Sequence, residues 1–164
     1  MPDACPRCIV IGIGNPDRGD DAAGRAVAQR LHDMLPPEVE IVEHDGEATS
    51  LLARLESVAT AYLIDASASA APAGAVRRFD VAIAPLPQET FSLSTHGLGL
   101  AEAIQLASAL GQLPDRCIVY AIEAESFEPG APLSPPVAAA ITEVGNRVRE
   151  EIRIANAPGG RIDA

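Results

Sequence analysis

The sequence predicts an α/β fold: a three-layer αβα domain around a twisted, mostly parallel sheet of about five strands, with one antiparallel edge strand. Three observations lead there. Short runs rich in Ile and Val alternate along the chain with segments whose apolar residues recur every three or four positions. The runs at 9–13, 61–65 and 117–122 are apolar almost throughout, as strands covered on both faces must be. The run at 75–82 instead alternates through Val76, Phe79 and Val81, so it reads as the antiparallel edge.

The elements follow in order. After the first strand, Gly12, Gly14 and Asn15-Pro16 turn the chain into a helix expected over 20–35, with Ala23, Val27, Leu31 and Met34 on one face. Pro36-Pro37 ends it, and 39–43 alternates like a strand that closes on the turn residues His44, Asp45, Gly46 and Glu47. A helix is expected at 48–57 with Leu51, Leu52 and Leu55 inward, then the third strand, which ends on Asp65. A small-residue loop spans 66–74, and a proline-bearing loop spans 85–95 before His96. Residues 97–110 carry Leu100, Ala103, Ile104, Ala107 and Leu110 on one helical face. Beyond the strand at 117–122 and a polar excursion at 123–134, a last helix is expected at 135–154, its face built from Val137, Ile141, Val144, Val148 and Ile152.

At 164 residues the chain reads as one domain over 1–164, with a core at about 7–154 and tails at 1–6 and 155–164. Twelve basic against 23 acidic residues leave a net charge of −11 and no basic stripe, which argues against nucleic acid and anionic membranes as partners. No apolar run approaches the roughly 20 residues that span a bilayer. Three cysteines and no signal peptide point to the reducing cytoplasm. Cys5 and Cys8 form a C-x-x-C without a second pair to complete a zinc site, and Cys117 reads as a small core residue. No apolar stripe forces a dimer, so a monomer is expected.

In a parallel sheet, ligands gather beyond the carboxyl ends of the strands. Asp21 follows the first strand, Asp45 the second, Asp65 closes the third, and His96 stands where a loop enters a helix. Asp21, Asp65 and His96 make an O,O,N set suited to a divalent transition ion, with at least one coordination position left open. Plainer roles stand beside this one. Asp20 is expected to cap the first helix, Asp65 could cap its own turn, and His96 could be a hydrogen-bonded turn residue. A dinucleotide site is disfavoured: the third glycine of G-x-G-x-x-G would fall at Asp17, and Asp20-Asp21 repel phosphate at the helix start. Neither a G-x-S-x-G elbow nor an H-E-x-x-H helix is present, and none of Ser67, Ser69 and Ser94 is singled out as a nucleophile.

Gly12-Ile13-Gly14-Asn15 with Gly19-Asp20-Asp21 and Gly24, then Leu63-Ile64-Asp65-Ala66, then 94–100 around His96, then Glu125-Ser126-Phe127-Glu128-Pro129-Gly130 and Leu133-Ser134-Pro135 follow one another in order. This ordered set resembles the maturation proteases of nickel–iron (NiFe) hydrogenases over about positions 9–150. The resemblance implies an α/β endopeptidase that removes the C-terminal extension of the hydrogenase large-subunit precursor after nickel insertion. It implies that Asp21, Asp65 and His96 meet nickel carried by the substrate, a set that other divalent ions could also enter in vitro. By the same resemblance Asp45 is the catalytic carboxylate of an aspartyl-endopeptidase-like site. One departure stands out: the family's Asp-Gly-Gly-Thr reads Asp45-Gly46-Glu47-Ala48-Thr49 here, with Glu47 a candidate for adjusting substrate choice. The alternative function is a non-catalytic nickel-binding or chaperone module, which would bind the same precursor without cutting it.

Overall fold

The computed structural model of the chain describes residues 7–87 and 97–157. Its elements are β1 (Cys8–Ile13), a short 3-10 turn (Gly19–Ala22), α1 (Ala23–Leu31), β2 (Val39–His44), α2 (Ala48–Leu55), β3 (Thr60–Ser67), β4 (Val76–Asp80), α3 (Gly97–Ala109), β5 (Arg116–Glu123) and α4 (Pro135–Ala155). The five strands form one sheet in the order β2-β1-β3-β5-β4. β1, β2, β3 and β5 run parallel, and β4 pairs antiparallel with β5 at the edge. The expected fold class is the one observed.

Alternation within the strands divides the core in two. Ile9, Ile11, Leu63, Val119 and Ala121 face α2 and α3, while Val10, Tyr62, Ile64, Ile118 and Tyr120 face α1 and α4. Both faces are covered, which is why the central stretches of β1, β3 and β5 are almost wholly apolar and their charged residues stand at the strand ends. At the far end of the second layer, Glu151 of α4 accepts from Arg116 at 2.9 Å and from the Tyr120 hydroxyl, tying helix to sheet.

Two helices are shorter than the spacing suggests. The first is helical only from Ala23 to Leu31, because Gly19–Ala22 winds as a 3-10 turn and His32 bonds back to Gln29 rather than continuing the ladder. α2 stops at Leu55: Glu56 is extended, and Ser57 takes a left-handed φ of 61°. Cys8 opens β1, and burial pushes its thiol up to about 11. Cys117 is wholly buried and pushed up to about 12, as a core residue would be. Cys5 lies outside the described residues.

Glycines set how closely α1 approaches the sheet. A Cβ on Gly12 would stand 2.3 Å from the Gly24 carbonyl oxygen, and one on Gly24 would stand 2.3 Å from that of Ile64. Helix backbone therefore rests on strand backbone, with no side chain between them. That contact carries the turn ahead of α1 over the ends of β1 and β3.

Candidate functional site

The site assembles where the parallel strands end. Gly12 pairs with Ile64, so Asp65, one step on, stands level with Ile13, and Ile13 pairs with His44 on the other side. His44, Ile13 and Asp65 thus share one level of the sheet, and the turns beyond them meet above it. The 3-10 turn adds Asp20 and Asp21, both 1% exposed.

Asp65 is the least ordinary of these groups. It is fully buried, and neither of its carboxylate oxygens has a hydrogen-bond partner among the described residues. Burial first, and then the charge of Asp21, push its carboxyl well above the usual range, with the nearby Ala66 amide opposing. Burial and the Asp21 charge therefore favour a proton on Asp65. Asp21 is oriented by the loop after β1, where the Asn15 N–H donates to its Oδ2 at 3.1 Å. Two buried carboxylates brought together, one of them without a hydrogen-bond partner among the described residues, make a locus of negative charge that favours a cation.

Asp45 lies at the same edge but outside that pair. Its side chain is 73% exposed and 3.5 Å from His44 Nδ1. The Glu47 N–H, donating at 3.0 Å, is the main cause holding its carboxyl below the ordinary range. His44 is mostly buried, and its ring state follows from its partners. Nδ1 accepts the Gly46 N–H at 2.9 Å, so the proton sits on Nε2 and is donated to Ser50 Oγ at 2.9 Å. His96 lies outside the described residues. The helix after it begins at the same edge, since a Cβ on Gly99 would stand 1.9 Å from the Gly46 carbonyl oxygen. Among the described residues no three ligating side chains complete a metal site.

One expectation needs correcting. Asp20 does not cap the first helix: neither the 3-10 turn nor α1 has a side-chain N-cap bond. Its Oδ2 instead accepts from the Glu125 and Ser126 amides at 2.8 and 3.3 Å and from Ser134 Oγ at 2.8 Å. Its Oδ1 accepts from the Ser134 amide at 2.8 Å. Sequence reading placed a cap there because the segment looked helical from residue 20, and the partners lie more than a hundred residues away. Glu47, for its part, is the N-cap of α2, accepting from the Thr49 and Ser50 amides at 2.9 and 2.8 Å. Its φ of −65° needs no glycine, whereas the retained Gly46 has a φ of 95° that does. Helix capping is thus the role the structure gives to the residue at the family's second glycine.

Sequence reading missed a further carboxylate at this edge, beyond Asp20, Asp21, Asp45 and Asp65. Glu123, 3% exposed, accepts from Ser67 Oγ at 2.8 Å, from the Ser69 amide at 2.7 Å and from Ser69 Oγ at 3.0 Å, with Arg77 3.9 Å away. The signal was an acid closing an apolar strand, the same signal that marked Asp65. It also missed Arg25, whose Nε donates to the Gly14 carbonyl at 2.6 Å. A groove of about 450 Å³ between residues 81–86 and α3, formed by Val81, Ile83, Leu86 and Ile104 among others, is lined by no titratable group among the described residues and lies beside the start of β5. It is no rival for the chemistry.

Known proteins bear on this geometry. Residues 25–151 match the family model described as hydrogenase maturation protease. The hydrogenase 2 maturation protease of Escherichia coli K12 is 28% identical over 151 residues, covering 90% of this chain and 91% of that protein. Among solved structures, the hydrogenase maturating endopeptidase HybD from Escherichia coli superposes with a TM-score of 0.73 at 26% identity, covering 92% of this chain and 94% of the other. A solution structure of an endopeptidase from Escherichia coli gives a TM-score of 0.78 at 27% identity with the same coverage. Fold, ordered motifs and relatives agree: this chain is a peptidase, and it belongs to the hydrogenase maturation protease family.

Proposed function

We propose that this peptidase removes the C-terminal extension of the large-subunit precursor of a nickel–iron hydrogenase, and that it recognises the nickel already inserted there. The metal arrives with the substrate. Asp21 and Asp65 meet it from the protease side, with His96 as third ligand. Asp45, ionised at neutral pH on the exposed rim, accepts the proton of the water that attacks the scissile amide. The partner is the precursor, and the protease acts on it in the cytoplasm as a monomer.

The observation that carries this reading is Asp65, buried beside Asp21 with both oxygens lacking a hydrogen-bond partner among the described residues. Such a group is costly unless something positive comes to it. With an empty precursor, Asp65 keeps its proton and offers no anchor. With a loaded one, the cation replaces that proton, and two hard oxygen ligands gain an ion held from the other side by the precursor. Selection for loaded over empty precursor is then a difference in binding.

The test is processing of nickel-loaded precursor, read by the mass of the large subunit. Asp65→Ala, His96→Ala and Asp45→Asn proteins should stay folded and lose at least about 100-fold in rate, as removal of a ligand or a general base does. Full processing by the first two would remove the ligand assignment. Full processing by Asp45→Asn would remove the catalytic one.

A further inference from the structure

We propose that Arg25 is a positioning residue for Asp21, acting through one peptide unit; the inference rests on the reading that Asp21 faces the precursor's nickel. The carbonyl of Gly14 and the N–H of Asn15 belong to the same planar group. At one edge of that planar group, Arg25 Nε donates to the Gly14 carbonyl at 2.6 Å. At the other, the Asn15 N–H donates to Asp21 Oδ2 at 3.1 Å. Because the group is rigid, its two contacts stand or fall together: turning the carbonyl away from Arg25 turns the amide away from Asp21. A cation on the carbonyl also polarises the amide and strengthens its N–H as a donor to a carboxylate.

The backbone does not hold this peptide unaided. Gly14 has a φ of +146°, a region where glycine is permissive and no side chain restricts the plane. It has no Cβ because one would fall 1.8 Å from the Asp21 carbonyl oxygen, so the loop closes directly on the residue it orients. Arg25 is held in turn. Its guanidinium lies 3.8 Å from Glu43 Oε1 on β2, and that oxygen also accepts from Gln29 at 2.9 Å. Beside this, the Gly14 N–H donates to the His44 carbonyl at 3.0 Å. The order of support runs from β2 through Glu43, Arg25 and the Gly14–Asn15 peptide to the Asp21 carboxylate. Supports of this kind around metal ligands change affinity or activity when removed.

The experiment uses the full-length protease and nickel-loaded precursor, with Arg25→Gln and Arg25→Lys beside Asp21→Asn. Arg25→Gln should lower kcat/KM about 10- to 100-fold. It should also move the Asn15 amide proton upfield in the NMR spectrum, a signature that a general loss of packing would not confine to that amide. Arg25→Lys, which keeps a cation within reach of the carbonyl, should recover most of both, and it carries the same test if Arg25→Gln fails to fold. Precursor affinity supplies the cycle: in an Asp21→Asn background, Arg25→Gln should cost no further binding beyond about twofold. Full activity of Arg25→Gln beside an inactive Asp21→Asn would overturn this inference and leave the ligand reading standing. A penalty that adds in full to that of Asp21→Asn would do the same. Normal processing by Asp21→Asn would overturn the ligand reading, and this inference with it.

Discussion

Asp65 concentrates the conflict between stability and function in one side chain. Its carboxyl is pushed up by burial and by Asp21, so the folded chain holds a proton that the unfolded chain gives up near pH 4. The stability that proton brings is fully present below the unfolded value and is lost as pH rises through the raised, folded one. Asp65→Asn removes the need to ionise while keeping the shape. Denaturation of the metal-free protein should show the variant more stable at neutral pH by about 1–2 kcal/mol, a Tm gain of roughly 2–8 °C. The gap should widen from pH 4 upward, and processing should be lost. A less stable variant, or a gap that closes as pH rises, would count against a strained carboxylate.

At the scale of elements, close backbone approach and one turn decide the geometry. Gly24→Ala places a methyl 2.3 Å from the Ile64 carbonyl oxygen and 2.4 Å from that of Ile13, so α1 must lift from the sheet. Urea titration should show a loss of about 2–4 kcal/mol, with processing reduced further than stability explains because Asp21 moves with the helix. The turn after β2 carries the other element-scale prediction. Burial lowers the pKa of His44, opposed by Asp45 and Glu47 and reinforced by Arg54 and Arg25. Its neutral ring accepts from Gly46, so the native state binds fewer protons than the unfolded one below about pH 6.5. Stability from this group is therefore present above that pH and lost as pH falls through the lowered value. His44→Asn, which keeps an acceptor near Nδ1, should flatten the stability profile between about pH 6.5 and 5 relative to the parent chain.

At the scale of the whole molecule, Asp20 joins the first motif to the last. Its carboxylate takes the Glu125, Ser126 and Ser134 amides, and the Gly130 amide bonds to the Asp17 carbonyl at 2.8 Å. The polar excursion is thereby fastened across the turn that presents Asp21. Asp20→Ala leaves those amides without their acceptor. It should cost about 2–4 kcal/mol, with hydrogen exchange accelerated first at 125, 126 and 134 and little change in α4 beyond its first turn. Uniform acceleration over the chain would deny that role.

Much of this was legible in the residues themselves. Apolar runs without polar interruption foretold strands buried on both faces, alternation foretold the antiparallel edge, and acids after the runs foretold that Asp21 and Asp65 would meet at one end of the sheet. Those features are local, because strand and helix periods are written into consecutive residues. Tertiary structure alone decided that Asp20 serves a distant loop, that Glu47 caps α2, that Asp65 is left without a hydrogen-bond partner among the described residues while Glu123 is saturated, and that Arg25 reaches the Gly14 carbonyl. Each depends on which backbone groups lie within about 3 Å after the chain has folded back on itself, and no spacing in the sequence encodes that distance.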